Sequence, residues 1–214
     1  AAMETVQAAL QQLEQLPSGK GSRIAKCLLT TLGVAQVKLR LWAAAEASFS
    51  TAATGLYRNG EACYNLAWLW MQGHGALVGE VSPLNSYQRC IEMLDDCLAL
   101  LPAHYRAYNN RAVMHERMQY LLQQEWTAML EAEADMDIEV VEKKEVAMRY
   151  HSQQAVANYS DALLWNSESV VALQNRCLYQ LQSRNPAAAL DDWKALSAMS
   201  SGASMSWLQQ VQAV

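Results

Sequence analysis

The feature that most constrains this chain is a phrase it uses twice. Residues 105–112 read YRAYNNRA and residues 170–177 read VVALQNRC, each with an alanine two places after its start and an Asn-Arg pair followed by a small residue. Each is answered further on by a run of small and large side chains at helical spacing: Ala155, Tyr159 and Ala162 after the first, and Ala189, Trp193 and Leu196 after the second. Small residues let two helices approach closely, and a large one fills the groove between neighbours. The rest of the composition agrees with helices. Ala, Leu, Gln, Glu and Met dominate, Gly (9) and Pro (4) are scarce, and few β-branched runs alternate with polar residues. With 52% hydrophobic residues in 214, the chain has material for one continuous core or one repeat array, and the fold class is all-α.

The spacing resembles that of the tetratricopeptide family, whose unit is about 34 residues folded as two antiparallel helices, A and B. Its pattern asks for a small residue in helix A, another 12 positions on in helix B, then a large residue and a further small one. Four placements follow in this sequence: Gly33, Ala45, Phe49 and Ala52; Ala67, Cys90, Leu94 and Cys97, closed by Pro102; Ala112, Ala155, Tyr159 and Ala162; Cys177, Ala189, Trp193 and Leu196. The units so defined are 26–59, 60–104, 105–169 and 170–203 within a single domain of residues 1–214. The resemblance implies a right-handed superhelical solenoid of antiparallel helix pairs. The stretch GEACYNLAWLWMQGHG also looks like a Sel1-type repeat, which implies the same architecture. Unit one has no turn signal near Lys38–Arg40, so residues 23–56 read equally as one long helix. Where the family carries a Tyr in helix A, this sequence has Gln36, Trp70, His115 and Gln180.

The ends and insertions extend that reading. Residues 1–22 predict a capping helix and a loop, with Ser22 as the cap of the next helix, and residues 204–214 predict a closing helix. The Gly-rich insertion GHGALVGEVSP is a surface loop or a contact loop. The insertion in unit three predicts a long projecting helical hairpin, turning near Asp135–Asp137. From Glu125 to Glu145 it has eight acids, among them Glu131, Glu133, Asp135, Asp137 and Glu139, against Lys143 and Lys144. This is a solvated acidic face or a docking arm for a basic partner. Asp135-x-Asp137-x-Glu139 lacks the sharp-turn glycine and the closing acid of a calcium loop, so no metal is expected.

Charge and cysteine usage narrow the function. A net charge of −5 argues against nucleic acid as a partner. No stretch is long and apolar enough for a membrane span, and no signal-peptide pattern opens the sequence. The five cysteines Cys27, Cys63, Cys90, Cys97 and Cys177 are odd in number and form no CxxC, so disulfides and a zinc site are not expected; most fit as small core residues. Free thiols predict an intracellular, cytoplasmic protein. His74, His104, His115 and His151 are scattered, no nucleophile or phosphate-loop motif is present, and neither enzyme activity nor a cofactor is expected.

What remains is binding. Asn65, Asn110 and Asn175 occupy one helix-A position of units two to four, with Thr31 breaking the series in unit one. In this family helix A lines the concave face, and the resemblance implies that Asn there holds an extended peptide. A carboxamide offers both donor and acceptor to a peptide unit. Arg106, one turn before Asn110, suits a carboxylate, and Arg111 and Arg176 adjoin the asparagines. The expected role is a scaffold or adaptor that holds a peptide or partner protein. The alternatives are a co-chaperone module binding chaperone tails, or the non-catalytic part of a larger enzyme. The chaperone clamp of this family is incomplete, because Thr30 and Val34, or Tyr64 and Trp68, stand where one register or the other requires Lys and Asn.

Overall fold

A computed structural model of the protein describes residues 2–15, 22–74, 82–132 and 138–199. They form α-helices in the order α1 (Ala2–Glu14), α2 (Arg23–Lys38), α3 (Trp42–Ala53), α4 (Gly60–Met71), α5 (Pro83–Leu100), α6 (Tyr105–Glu131), α7 (Ile138–Trp165), α8 (Val170–Gln182) and α9 (Pro186–Met199), with no strand among the described residues. The fold class is all-α. The closing segment 204–214, the tip of the acidic hairpin and most of the Gly-rich insertion lie outside the described residues. None of the described helices is long and apolar enough to cross a membrane.

Two compact units divide at Met114 and His115, within α6. In the first, α2 packs on α3 and α4 on α5, α3 bridges the two pairs, and α1 covers α2. In the second, α8 packs on α9 and on α7. Helix starts follow local chemistry. Ser22, Asn59, Ser82 and Ser169 each accept a backbone N–H of the following first turn, at Ala25, Ala62, Asn85 and Ala172. Residues 23–56 are two helices, and the break carries no glycine: Arg40 adopts φ +58°. Leu39 N–H and Leu41 N–H return to Gln36 O, closing α2 over the turn.

The small-residue positions are the core. Ala45, Ala52, Ala67, Leu94, Cys97, Ala112, Ala155, Tyr159 and Ala162 are all fully buried. Cys90 Sγ lies 4.0 Å from Ala67 O and Cys177 Sγ 3.4 Å from Ala189 O, so in units two and four the thiol is directed at the backbone of its partner small residue. Burial pushes the Cys63 thiol up to about 11 and the Cys97 thiol up to about 12, and it also raises Cys177. These thiols are packing groups. Trp193 differs from the large residues of the other units: it is 37% exposed, beside Leu181, Pro186 and Leu190 around an apolar hollow of 290 Å³.

Gly33 shows how tight the approach is. A Cβ there would stand 2.5 Å from Phe49 Cε1 and 2.9 Å from its Cζ. Gly33→Val is expected to lower stability by about 1–3 kcal/mol through overpacking, read as a fall in the urea midpoint with unchanged m-value. Gly33→Ala is expected to fall between the two.

Three of the four residues that replace the helix-A tyrosine have polar partners, inside a helix pair for Gln36 and His115 and across to the preceding pair for Trp70. Gln36 Oε1 accepts from Ser48 Oγ at 2.8 Å, and Trp70 Nε1 donates to Glu46 Oε1 at 2.8 Å. His115 Nδ1 faces His151 Nδ1 at 2.9 Å, both rings buried. Gln180 Oε1, also buried, accepts no hydrogen bond among the described residues.

Candidate partner-binding site

Asn65 and Asn110 belong to the first unit, on α4 and α6. Tyr64, beside Asn65 on α4, lies 4.5 Å from the His104 ring, centroid to centroid. His104 caps α6, its Nδ1 accepting from Ala107 N–H at 3.0 Å, and its Nε2 is 3.6 Å from Glu61 Oε1. Burial raises the Tyr64 phenol, with Arg106 and Asn110 acting the other way. Tyr64 therefore stays a neutral hydrogen-bonding group at physiological pH. Asn65 donates through Nδ2 to Glu61 O at 2.8 Å. Beside it a groove of 220 Å³ opens between α2 and α4, lined by Val34, Val37 and Lys38 on one side and Tyr64, Asn65 and Trp68 on the other. These are the A helices of consecutive units.

The arginines divide. Arg106 is exposed, with Nε donating to Tyr105 Oη at 3.1 Å and its guanidinium over the Tyr105 ring. Arg111 is ion-paired to Asp95 and lies over the Tyr108 ring at 5.4 Å. Arg176, in the second unit, donates through Nε to Asp192 Oδ2 at 2.9 Å and through Nη1 to Ser160 Oγ at 3.0 Å, and its Nη2 reaches the other oxygen of Asp192. Asp192 is 3% exposed. Arg111 and Arg176 thus fasten helix A to helix B. Both are half-buried, and Arg106 is the exposed one of the three. Asn175 lies half-buried on α8 of the second unit.

The second unit has a larger groove that the sequence did not reveal. It encloses 730 Å³ and runs between α6 and α8, again two A helices. Glu116, Gln119, Tyr120 and Gln123 form one face of α6 at i, i+3, i+4 and i+7, opposite Tyr179 and Gln182 of α8. The Tyr179 hydroxyl bridges Gln119 Oε1 and Ser152 Oγ, the latter at 2.9 Å. Glu116 accepts from Tyr159 Oη at 2.8 Å; burial raises its carboxyl, opposed by that hydrogen bond and by Arg117. The groove is therefore amide- and hydroxyl-rich, suited to hydrogen-bonding an extended backbone. A helical stripe of Glu, Gln and Tyr on α6 was the only sequence signal for it.

Of the acidic hairpin, Glu131 ends α6 exposed, and Glu139 pairs with Lys143 at 2.7 Å within α7. Lys144 joins Glu125 across the two helices at 2.6 Å. Glu133, Asp135 and Asp137 lie outside the described residues. Among the described residues no group of three or more His, Cys, Asp or Glu is placed to hold a metal ion.

No protein-family model matches the chain, and no curated protein matches it in sequence. Solved structures do match in fold. A crystal structure of MamA superposes with a TM-score of 0.60 at 14% identity, covering 92% of this chain and 85% of that one. MamA from Desulfovibrio magneticus RS-1 gives a TM-score of 0.55 at 13% identity, covering 92% and 88%. A monomeric mutant of IFIT1, solved with m7Gppp-AAAA, gives 0.59 at 10% identity, covering 80% of this chain and 33% of that one. At these identities the likeness speaks for the fold alone.

Proposed function

From a fold of the tetratricopeptide-repeat type, we propose that this chain is a scaffold that holds an extended segment of a partner protein against its A helices. One observation carries the reading: in each unit a groove opens between consecutive A helices, with the Asn65 carboxamide in the lining of the first and those of Gln119, Gln123 and Gln182 in the lining of the second. Peptide recognition needs groups that satisfy backbone N–H and C=O without regard to side chain. Asn65 beside neutral Tyr64 supplies them in the first groove, Asn110 on α6 extends them beyond its lining, and Gln119, Gln123 and Gln182 supply them in the second. Val34, Val37 and Trp68 add an apolar wall to the smaller groove, where a partner side chain is desolvated. Asn175 and the acidic residues Glu131, Glu133, Asp135, Asp137 and Glu139 belong to this reading as secondary contacts, the acids meeting a basic region of the partner. A chaperone-tail clamp is less well supported. Thr30, in register for its lysine, is buried with its hydroxyl returned to Lys26 O at 2.8 Å.

The test is a partner recovered by proximity labelling and then titrated against purified variants. Asn65→Ala with Asn110→Ala is expected to weaken binding at least tenfold, about 1.4 kcal/mol, with the helical circular-dichroism signal and melting curve unchanged. Undiminished affinity in this variant and in Gln119→Ala with Gln123→Ala would remove both grooves from consideration.

A further inference from the structure

A second cavity in the first unit is furnished for an anion. It encloses 250 Å³ where the start of α2 meets the α3–α4 connection, and it is lined by Arg23, Lys26, Leu56, Tyr57, Arg58 and Asn59, with Leu100 at its rim. Lys26 is the decisive residue. It is 7% exposed, and its Nζ donates to Thr51 O near the carbonyl end of α3. Among the described residues no carboxylate pairs with it. An ammonium taken out of water is costly unless a counter-charge accompanies it, and one backbone carbonyl occupies one of its three donors. The acid close by is already engaged: Asp96 binds Arg58 Nη1 at 2.6 Å. Arg23 is exposed at the mouth.

We propose that this pocket binds a phosphate monoester carried by a side chain of a partner protein. The charges favour that group over a carboxylate. Three cations against Asp96 leave two positive charges, matching the −1.5 to −2 of a phosphate monoester near pH 7, and two guanidiniums beside an ammonium suit its three acceptor oxygens. Size and surroundings favour a protein over a lipid as the source. The cavity accommodates a phosphoryl group and a short side chain, and Leu56, which is 87% exposed, with Tyr57 and Leu100, forms a small apolar rim for the residues that flank it. An anionic bilayer calls instead for a broad cluster of basic residues, whereas this chain carries −5 overall. The proposal extends the scaffold reading to a second kind of contact and uses none of the residues of the two A-helix grooves.

The experiment is calorimetric and NMR titration of the whole chain at constant ionic strength with inorganic phosphate, N-acetyl-phosphoserine amide, acetate and phosphatidylserine vesicles. Phosphate and the phosphoserine derivative are expected to bind saturably, shifting the amides of residues 23–26 and 55–59, at least tenfold more tightly than acetate. Affinity is expected to fall as the pH drops below about 6, where the phosphate gains its second proton. Arg23→Gln, a surface change, should weaken phosphate at least fivefold. Lys26→Met should abolish binding while raising the melting temperature of the ligand-free protein, because a buried charge is replaced by an apolar chain of similar length. Linear, unsaturable shifts, equal response in Arg23→Gln, or binding of the vesicles alone would each overturn the proposal. The Asn65→Ala/Asn110→Ala variant should keep its phosphate affinity, which separates failure here from failure of the groove.

Discussion

Asp192→Ala is expected to destabilise the second unit by about 3–5 kcal/mol, the usual consequence of stripping one partner from a buried ion pair. The carboxylate is 3% exposed, and both of its oxygens receive the Arg176 guanidinium. Removing it leaves a half-buried cation whose remaining partner among the described residues is Ser160 on α7. Arg176 spans α7, α8 and α9, so the loss is expected to be cooperative across those helices. In urea, the variant should show an early transition confined to probes in residues 138–199. Arg176→Met with Asp192→Leu should recover much of the loss, because an apolar pair of similar volume avoids desolvating two charges. A single-variant loss below about 1 kcal/mol would mean that the pair is solvated in solution.

The second large effect is a loss of stability in acid. His115 and His151 join α6 to α7 through facing Nδ1 atoms, an arrangement that needs one ring to donate and the other to accept. Tyr150 stands edge-on to both rings, at 6.0 Å and 5.2 Å between centroids. From α8, Tyr179 reaches Ser152, the neighbour of His151; Glu116, next to His115, is held by Tyr159. Burial lowers the His151 imidazole. A histidine lowered on folding binds protons more readily when unfolded, so stability is full above its ordinary value of about 6.5 and declines as the pH falls through and below it. Protonating both rings sets two N–H groups against each other, an unmet buried donor costing about 1–3 kcal/mol. Glu116 acts in the opposite sense, since a carboxyl raised by burial favours the folded state as the pH falls toward its own value. The two are separated by difference. The melting temperature of the wild type minus that of His151→Gln should fall between pH 7.5 and 5, and a flat difference would show that the pair does not sense protons.

Much of the fold was legible because close packing leaves a direct trace in sequence. At the paired close-contact position of each repeat the residue is Gly, Ala or Cys, and a large residue follows the helix-B member a turn later. Phe49, Leu94 and Tyr159 behave as that trace implies. The break in unit one was not legible, because the turn is made by Arg40 with a positive φ and by returns to Gln36 O, which no glycine or proline advertises. The site was readable only in part. Asn65 lines the smaller groove, Asn110 stands outside its lining, and Arg106 is presented to solvent. Arg111 and Arg176 adjoin Asn110 and Asn175 in sequence, yet each is ion-paired to an aspartate of a neighbouring B helix, which their local sequence does not reveal. The larger groove depends on Gln119, Gln123 and Gln182, residues common on any solvated helix. The basic pocket assembles Arg23, Lys26 and Arg58 from segments more than thirty positions apart, and only the folded chain brings them together.

The five thiols have an experimental use. Cys63, Cys90, Cys97 and Cys177 lie within the helix pairs, and Cys27 alone is exposed. A maleimide reacts with thiolate, so at neutral pH the protein should take one label, on α2, next to the lysine of the basic pocket. Slow uptake of further labels then times the transient parting of the second repeat, through Cys63, Cys90 and Cys97, and of the fourth, through Cys177. Under native conditions that gives a clock of opening for two of the four repeats without a single engineered substitution.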